Sequence, residues 1–293
     1  MIRLGTRGSA LALAQAHLVA DRLPGKVELV PIATSGDRPR GAGLDKSRFV
    51  KEIEDALLAG DVDLAVHSAK DVPSELPPDL SIVGVPERAD ALDALCGASS
   101  LQELPDGAAV GTSSLRRRAQ LLALRPDLDV RELRGNVDTR LRRLAEGDFA
   151  AVVLAQAGLD RLGRGAEGVR LPELVPAPGQ GCLALEARTD DAPVAAAAGA
   201  LIDPPALTCL TAERALVEGL GATCRTPMGA HAELHDRALR LTAFAGMPDG
   251  SHWIRDVHEG DPDDPAGLGR AVAERLGAAG AREVLEAAER AAA

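Results

Sequence analysis

Val110-Gly111-Thr112-Ser113-Ser114-Leu115-Arg116-Arg117-Arg118 reads as a strand end, a short polar turn and a helix start. The strand is 108–111, the helix opens near Ser114, and Thr112, Ser113 and Ser114 are placed to cap its free backbone N–H groups. Strand, tight turn and helix form the repeating unit of an open α/β sheet, and such sheets gather ligands beyond the carboxyl ends of their strands. The helix N-terminus adds exposed N–H groups and a partial positive charge, which suits an anion. Three arginines in its first turn or so oppose that dipole, so an anion is expected to offset them. The plain alternative is a solvated basic helix start in a chain that favours arginine, since only four of its 33 basic residues are lysine.

Outward from this stretch the same unit recurs. Residues 2–5 are a strand, Thr6-Arg7-Gly8-Ser9 a turn, 10–23 a helix capped by Ser9, and 26–33 a second strand. The polar loop 34–45 follows, then a helical stripe of Phe49, Val50, Ile53 and Leu57 that reads as core. Strand 62–66 runs straight into His67, Ser68, Lys70 and Asp71, although a lysine–aspartate pair on a turn is equally an ordinary ion pair. Further strands are expected at 80–86 and 93–97, with a domain crossing at the polar residues between them. Strand 128–133 ends at Arg134, helix 137–146 carries Arg140, and strand 149–155 ends at Gln156-Ala157-Gly158 before a helix bearing Arg161. Arginine therefore sits beyond four strand ends: Arg7, Arg116 with Arg117, Arg134 with Arg140, and Arg161. Pro178-Gly179-Gln180-Gly181 reads as a connector leading to a strand at 183–187, and Asp203-Pro204-Pro205 breaks the chain. Beyond it come one helix, three strands and two Ala-rich helices, a small α+β region.

Composition narrows the function. A net charge of −11 argues against general nucleic-acid affinity. Three Phe, one Trp and no Tyr leave few platforms for stacking bases. An anionic ligand would meet a repulsive overall field, so the arginine cluster must attract it locally. Cys96, Cys182, Cys209 and Cys224 are widely spaced and fit neither a metal site nor a disulfide framework. No leader or membrane-length apolar run is legible, and the cytoplasm is the expected compartment. Cys224 lies in the loop Gly221-Ala222-Thr223-Cys224-Arg225-Thr226. A cysteine there is either a small semi-buried residue or a nucleophile.

Taken in order, these stretches resemble the porphobilinogen deaminase (hydroxymethylbilane synthase) family. The resemblance rests on Thr6–Ser9, on Ala65-Val66-His67-Ser68-Ala69-Lys70-Asp71-Val72-Pro73 and on 110–117. It also rests on Leu133-Arg134-Gly135-Asn136-Val137, Pro178–Gly181, Thr211-Ala212-Glu213-Arg214 and Cys224. It implies an α/β fold of two doubly wound domains like those of periplasmic binding proteins, plus a small α+β domain. The expected division is 1–86 with 182–199, 92–175, and 204–293.

The activity implied is that of a transferase of tetrapyrrole (heme) biosynthesis. It joins four porphobilinogen molecules head to tail, with loss of ammonia, into the linear tetrapyrrole hydroxymethylbilane. The chain grows on a dipyrromethane cofactor held by a thioether to Cys224. Asp71 matches the catalytic aspartate. Arg7, Arg116, Arg117, Arg134, Arg140 and Arg161 match the arginines that bind substrate and cofactor carboxylates, with Ser9, Lys70, Thr112, Ser113, Ser114 and Gln180 in the same regions. Lys46 and Phe49 match the family's lid, and the family resemblance favours a monomer; the sequence itself gives no reason to expect a metal, nucleic acid or membrane.

The chemistry of the residues agrees. Each porphobilinogen brings an acetate and a propionate, which guanidinium forks bind bidentately. Loss of ammonia leaves an electron-poor azafulvene, and coupling passes through a cationic pyrrole that a carboxylate stabilises. Two departures stand out: Asp45-Lys46-Ser47-Arg48-Phe49 replaces a glycine-flanked run, and Ala222-Thr223 precede the cysteine where glycines are usual. Two rivals remain at this stage, an anion-binding module without catalysis and another lyase or transferase with a structural Cys224.

Overall fold

A computed structural model describes residues 1–34, 50–223 and 226–291. They form two compact units, residues 1–89 with 182–207 and residues 90–181 with 208–293.

The first unit is built on β1 (Ile2–Arg7), β2 (Val27–Ile32), β3 (Leu64–Ser68), β4 (Leu80–Gly84) and the late strand β10 (Leu183–Arg188), in the order β2-β1-β3-β10-β4. β1 runs parallel to β2 and β3, while β10 is antiparallel between β3 and β4. The alternation of strand side chains assigns the two faces. Leu64, Val66 and Leu185 join α1 (Ala10–Ala20) and α6 (Ala192–Gly199) in one core, whereas Ala65 packs with Ile53 and Leu57 of α2 (Lys51–Leu58) in another. Each fully buried leucine contributes roughly 1.5–3 kcal/mol, and Leu4, Leu64 and Leu185 hold the centre.

The second unit repeats the pattern. Its strands are β5 (Asp93–Cys96), β6 (Ala109–Gly111), β7 (Asp129–Arg131), β8 (Ala151–Ala155) and β9 (Val169–Leu171), in the order β7-β6-β8-β5-β9. β6 is parallel to β7 and β8, and β5 is the antiparallel strand beside β8. α3 (Leu115–Leu124) covers the face of Leu95, Val110 and Val153. α4 (Val137–Ala145) and α5 (Gln156–Arg161) cover the face of Ala94, Cys96 and Val152. The same unit holds an antiparallel sheet of β11 (Met228–His235), β12 (Ala238–Gly246) and β13 (Trp253–Gly260). That sheet packs on α7 (Pro204–Leu220), α8 (Pro265–Ala278) and α9 (Ala281–Ala291). The fold is thus α/β, with two five-stranded sheets and a small α+β part.

Two expectations are corrected and one strand is added. α5 opens at Gln156, directly at the end of β8, so Gln156-Ala157-Gly158 belong to the helix. β9 was not foreseen, being three residues with a charged arginine in the middle. Pro204-Pro205 do not interrupt α7 but open it, since a proline in the first turn loses no helical hydrogen bond. Asp203 caps that turn, its carboxylate accepting the Ala206 N–H at 2.8 Å.

Candidate active site

In the first unit Arg7 ends β1, and Ser9 caps α1 by accepting the Ala12 N–H at 3.3 Å. β3, the parallel neighbour of β1, ends at Ser68, and Ala69–Asp71 follow as one 3-10 turn. Arg7, Ser9, Lys70 and Asp71 therefore stand at adjacent carboxyl strand ends, the ligand edge of such a sheet. The turn is anchored from both sides. The Gln15 amide donates to the Ser68 hydroxyl at 3.0 Å, and the Ala69 N–H donates to the Cys182 carbonyl at 3.1 Å. Behind it His67 Nε2 lies 3.0 Å from Glu186 Oε2, both side chains buried. The two groups are in ion-pair range without alignment for a hydrogen bond, and neither Glu186 oxygen has a hydrogen-bond partner among the described residues.

In the second unit β7, β6 and β8 are parallel neighbours, so the turns bearing Arg134 and Thr112–Ser114 and the start of α5, which carries Arg161 at its far end, share one edge. Ser114 caps α3 through the Arg117 N–H, and Thr112 Oγ1 accepts the Ser114 N–H at 3.2 Å. β5 runs the other way, which brings its first residue, Asp93, to the same edge opposite Ala155. The Asp93 carboxylate is wholly buried. It accepts Arg116 Nη1 at 2.7 Å and Nη2 at 3.1 Å, Arg117 Nε at 3.0 Å, and Gln180 Nε2 at 2.9 Å. Arg117 Nη2 also stands 2.8 Å from it. Arg116 donates further to the Val175 carbonyl and Arg117 to the Val153 carbonyl, at 2.7 and 2.8 Å. Both arginines are under 7% exposed. Burial alone would raise the Asp93 carboxyl, but Arg116 and Arg117, with Gln180, hold it well below the usual carboxylate range.

Arg140 is half-buried, donating to the Gly135 carbonyl at 2.8 Å and the Ser113 hydroxyl at 3.2 Å. Burial and then the like charge of Arg117 pull it down to about 10. Arg161 Nη2 donates to the Gly181 carbonyl at 2.7 Å. Arg134 points to Glu132 on the exposed face of its turn. Gly179 and Gly181 take φ of 72° and 90°, conformations open to glycine, and so let the connector fold its Gln180 side chain inward to Asp93. Thr112, Ser113 and Ser114 each accept a hydrogen bond, so each hydroxyl proton is available to a ligand.

The profile described as "Porphobilinogen deaminase, dipyromethane cofactor binding domain" matches residues 2–196, and "Porphobilinogen deaminase, C-terminal domain" matches 207–278. A porphobilinogen deaminase of Roseiflexus castenholzii is 50% identical over 97% of this chain and 98% of its own. One of Thermus thermophilus is 47% identical over 97% and 98%. This chain belongs to the porphobilinogen deaminase family. Among solved structures, a periplasmic His/Glu/Gln/Arg/opine family-binding protein from Silicibacter pomeroyi in complex with lysine is similar at 12% identity. That match covers 69% of this chain and 88% of that one, with a TM-score of 0.38.

For a porphobilinogen deaminase, the residues expected from the sequence fall into two sets. Arg7, Ser9, Lys70 and Asp71 come together in the first unit; Thr112, Ser113, Ser114, Arg116, Arg117, Arg140, Arg161 and Gln180 gather at one edge of the second. Lys46, Phe49 and Cys224 lie outside the described residues. The anion expected to offset the arginines of α3 is in part internal. It is Asp93, which went unnoticed in the sequence as the first residue of a short strand. Its signal was a lone carboxylate heading the apolar run Ala94-Leu95-Cys96, where a charge is buried only with a partner. Cys96, Cys182 and Cys209 are buried, and burial pushes the Cys96 thiol up to about 11.

Proposed function

We propose that this chain is a hydroxymethylbilane synthase: it condenses four porphobilinogen molecules head to tail, releases ammonia at each step and hydrolyses the product free as the linear tetrapyrrole. The observation that carries this reading is the family match along nearly the whole chain. The described residues suit the family's dipyrromethane, whose two pyrroles carry carboxylate arms. Around Asp93 there is more guanidinium charge than one carboxylate neutralises, and the Arg116 Nε has no hydrogen-bond partner among the described residues. In the proposal Arg117, Arg140 and the hydroxyls of Ser113 and Ser114 bind those arms, with Arg116 and Thr112 beside them. Arg7, Ser9, Lys70, Arg134, Arg161 and Gln180 complete the polar set. When bound through Cys224, the group supplies the pyrrole carbon from which the chain grows.

Asp71 has the catalytic part. Its carboxylate stabilises positive charge on the reacting pyrrole and moves the proton that each condensation must shed. Lys70, the preceding residue, supplies a cation for a substrate carboxylate. Lys46 and Phe49 are assigned to the lid, the protein is read as a cytoplasmic monomer, and the three-domain division stated above is retained. Arg7 and Lys70 in the first unit, and Arg117 and Arg140 in the second, give a reason for carboxylate specificity that an overall charge of −11 does not.

Intact mass of the purified protein tests this reading. An adduct of two pyrrole units, mapped to Cys224, is expected, and Cys224→Ser should lose the adduct and tetrapyrrole formation together. Asp71→Asn should keep the adduct while turnover falls by roughly 10²–10⁴. An unmodified protein that still makes tetrapyrrole would overturn the assignment of Cys224, and near-normal turnover of Asp71→Asn would move the chemistry elsewhere.

A further inference from the structure

We infer that Asp93 is a positioning residue for the family's reaction, and that Arg116 acts through it: the pair fixes the guanidinium of Arg117, and Arg117, not Arg116, takes the ligand carboxylate. This deepens the reading under Proposed function and rests on it.

The geometry separates the two arginines, which the sequence presents as equivalents. Arg116 turns both terminal nitrogens inward, onto the two oxygens of Asp93 and onto the Val175 carbonyl. A guanidinium whose fork closes on an internal carboxylate does not offer that fork to an external one. Arg117 meets only one oxygen, Asp93 Oδ1, through Nε and Nη2, and steadies Nη1 on the Val153 carbonyl. Its backbone lies in the first turn of α3, above Ser114, and after burial it is the like charge that lowers Arg140. Arg140 is in turn hydrogen-bonded to Ser113. Arg117 thus stands beside Arg140 and Ser113, while the terminal nitrogens of Arg116 are committed to Asp93 and Val175 and only its Nε is left over.

Charge decides the roles in the same way. Two buried guanidiniums against one carboxylate leave one positive charge unmatched, and a second comes from Arg140. Asp93 turns both oxygens to Arg116 and only one to Arg117, and leaves the remaining charge for an anion. Its own position is fixed by its place in β5 between β8 and β9, and by Gln180 from the connector. α3 grips that connector again through Gln120, whose amide exchanges hydrogen bonds with the Val175 backbone at 2.7 and 3.0 Å. Asp93 therefore transmits the placement of a sheet, a helix and a connector to one side chain.

The test is a double-mutant cycle on the full chain, using Asp93→Asn, Arg116→Gln and the double variant. The readouts are the adduct-bearing fraction by intact mass, KM and kcat for porphobilinogen on that fraction, and the thermal midpoint. Asp93→Asn is expected to lower the loaded fraction and raise KM about tenfold with a smaller change in kcat. The double variant should cost no more than the worse single one, because both changes break the same link. Losses that multiply in the double variant overturn the proposal, since Arg116 would then contact the ligand itself. A lowered midpoint with unchanged loading and KM also overturns it, leaving Asp93 merely structural. Should the Asn or Gln variants not fold, Arg116→Lys keeps the charge but not the bidentate pair. A severalfold rise in its KM supports the proposal, and an unchanged KM overturns it. A wild-type protein with neither adduct nor turnover would instead sink the underlying functional reading, an outcome distinct from all of these.

Discussion

Glu54 shows how a single side chain records its surroundings. It lies on α2 against the sheet face that holds His67 and Glu186, and its Oε1 is buried without a hydrogen-bond partner among the described residues. Burial pushes its carboxyl above the ordinary 4.5; the charge of Glu186 and then Asp55 push the same way, while His67 and Lys51 pull down. In the window above the ordinary value, the native state holds a proton that the unfolded chain has lost, so stability declines as pH rises through it. Glu54→Gln removes that titration. The variant should match the wild type in acid and become the more stable of the two towards neutral pH, as read from thermal midpoints across that range. Equal pH slopes for the two proteins would refute this. The pattern of arginines beyond strand ends was legible from residue order alone, because it needs only the strand–turn–helix unit. The pairing of Arg116 with Asp93 was not legible, since the two are 23 positions apart and meet only through an antiparallel strand. Glu186 was equally hidden, as its partner His67 faces it from a neighbouring strand.

At the scale of elements, capping chemistry was readable because it is local, whereas boundaries and short edge strands depended on tertiary partners. Ser9 and Ser114 each accept a hydrogen bond from the third residue onward, as the sequence predicts, and Asn136 caps α4 in the same way. β9, by contrast, exists because β5 offers it a free edge, and three residues carry too little period to announce that. The caps also differ in strength. Asn136 Oδ1 meets the Thr139 N–H at 2.9 Å, while Ser114 Oγ meets the Arg117 N–H at 3.4 Å, near the limit for a hydrogen bond. Asn136→Ala should therefore destabilise by about 1 kcal/mol and Ser114→Ala by about half that. Chemical denaturation of both variants measures the order, and a larger loss for Ser114→Ala would contradict it. Asn136→Ala has a second expected effect, because α4 carries Arg140: the cofactor-bearing fraction should fall, whereas a purely local helix defect would leave loading unchanged.

The whole molecule divides its apolar cores between two units. Leu4, Leu64, Val66 and Leu185 close the core of the first, while Leu95, Val110, Leu121 and Val153, with the separate cluster around Leu239 and Leu241, close those of the second. The chain passes between the units at 89–90, 181–182 and 207–208, so neither unit is one continuous segment. Two α/β sheets could be anticipated from the recurring strand–turn–helix pattern. The antiparallel strands β5 and β10 were visible only as apolar runs of unknown direction. Trp253, the single tryptophan, lies on β13 and stacks on Phe244 with ring centroids 6.3 Å apart, so its fluorescence reports the second unit alone. Far-ultraviolet circular dichroism sees the helices and strands of both. Two units with separate cores are expected to lose structure at different denaturant concentrations, and a single apparent stability would then have no meaning for the chain. In a urea titration the fluorescence change should be one sigmoid, while the dichroism change should be broader and contain a step that fluorescence lacks. Leu185→Ala, a cavity in the first core worth roughly 2–5 kcal/mol, should move only that silent step to lower urea. Superimposable curves for the wild type, or a Leu185→Ala shift seen equally by fluorescence, would show that the two units unfold as one.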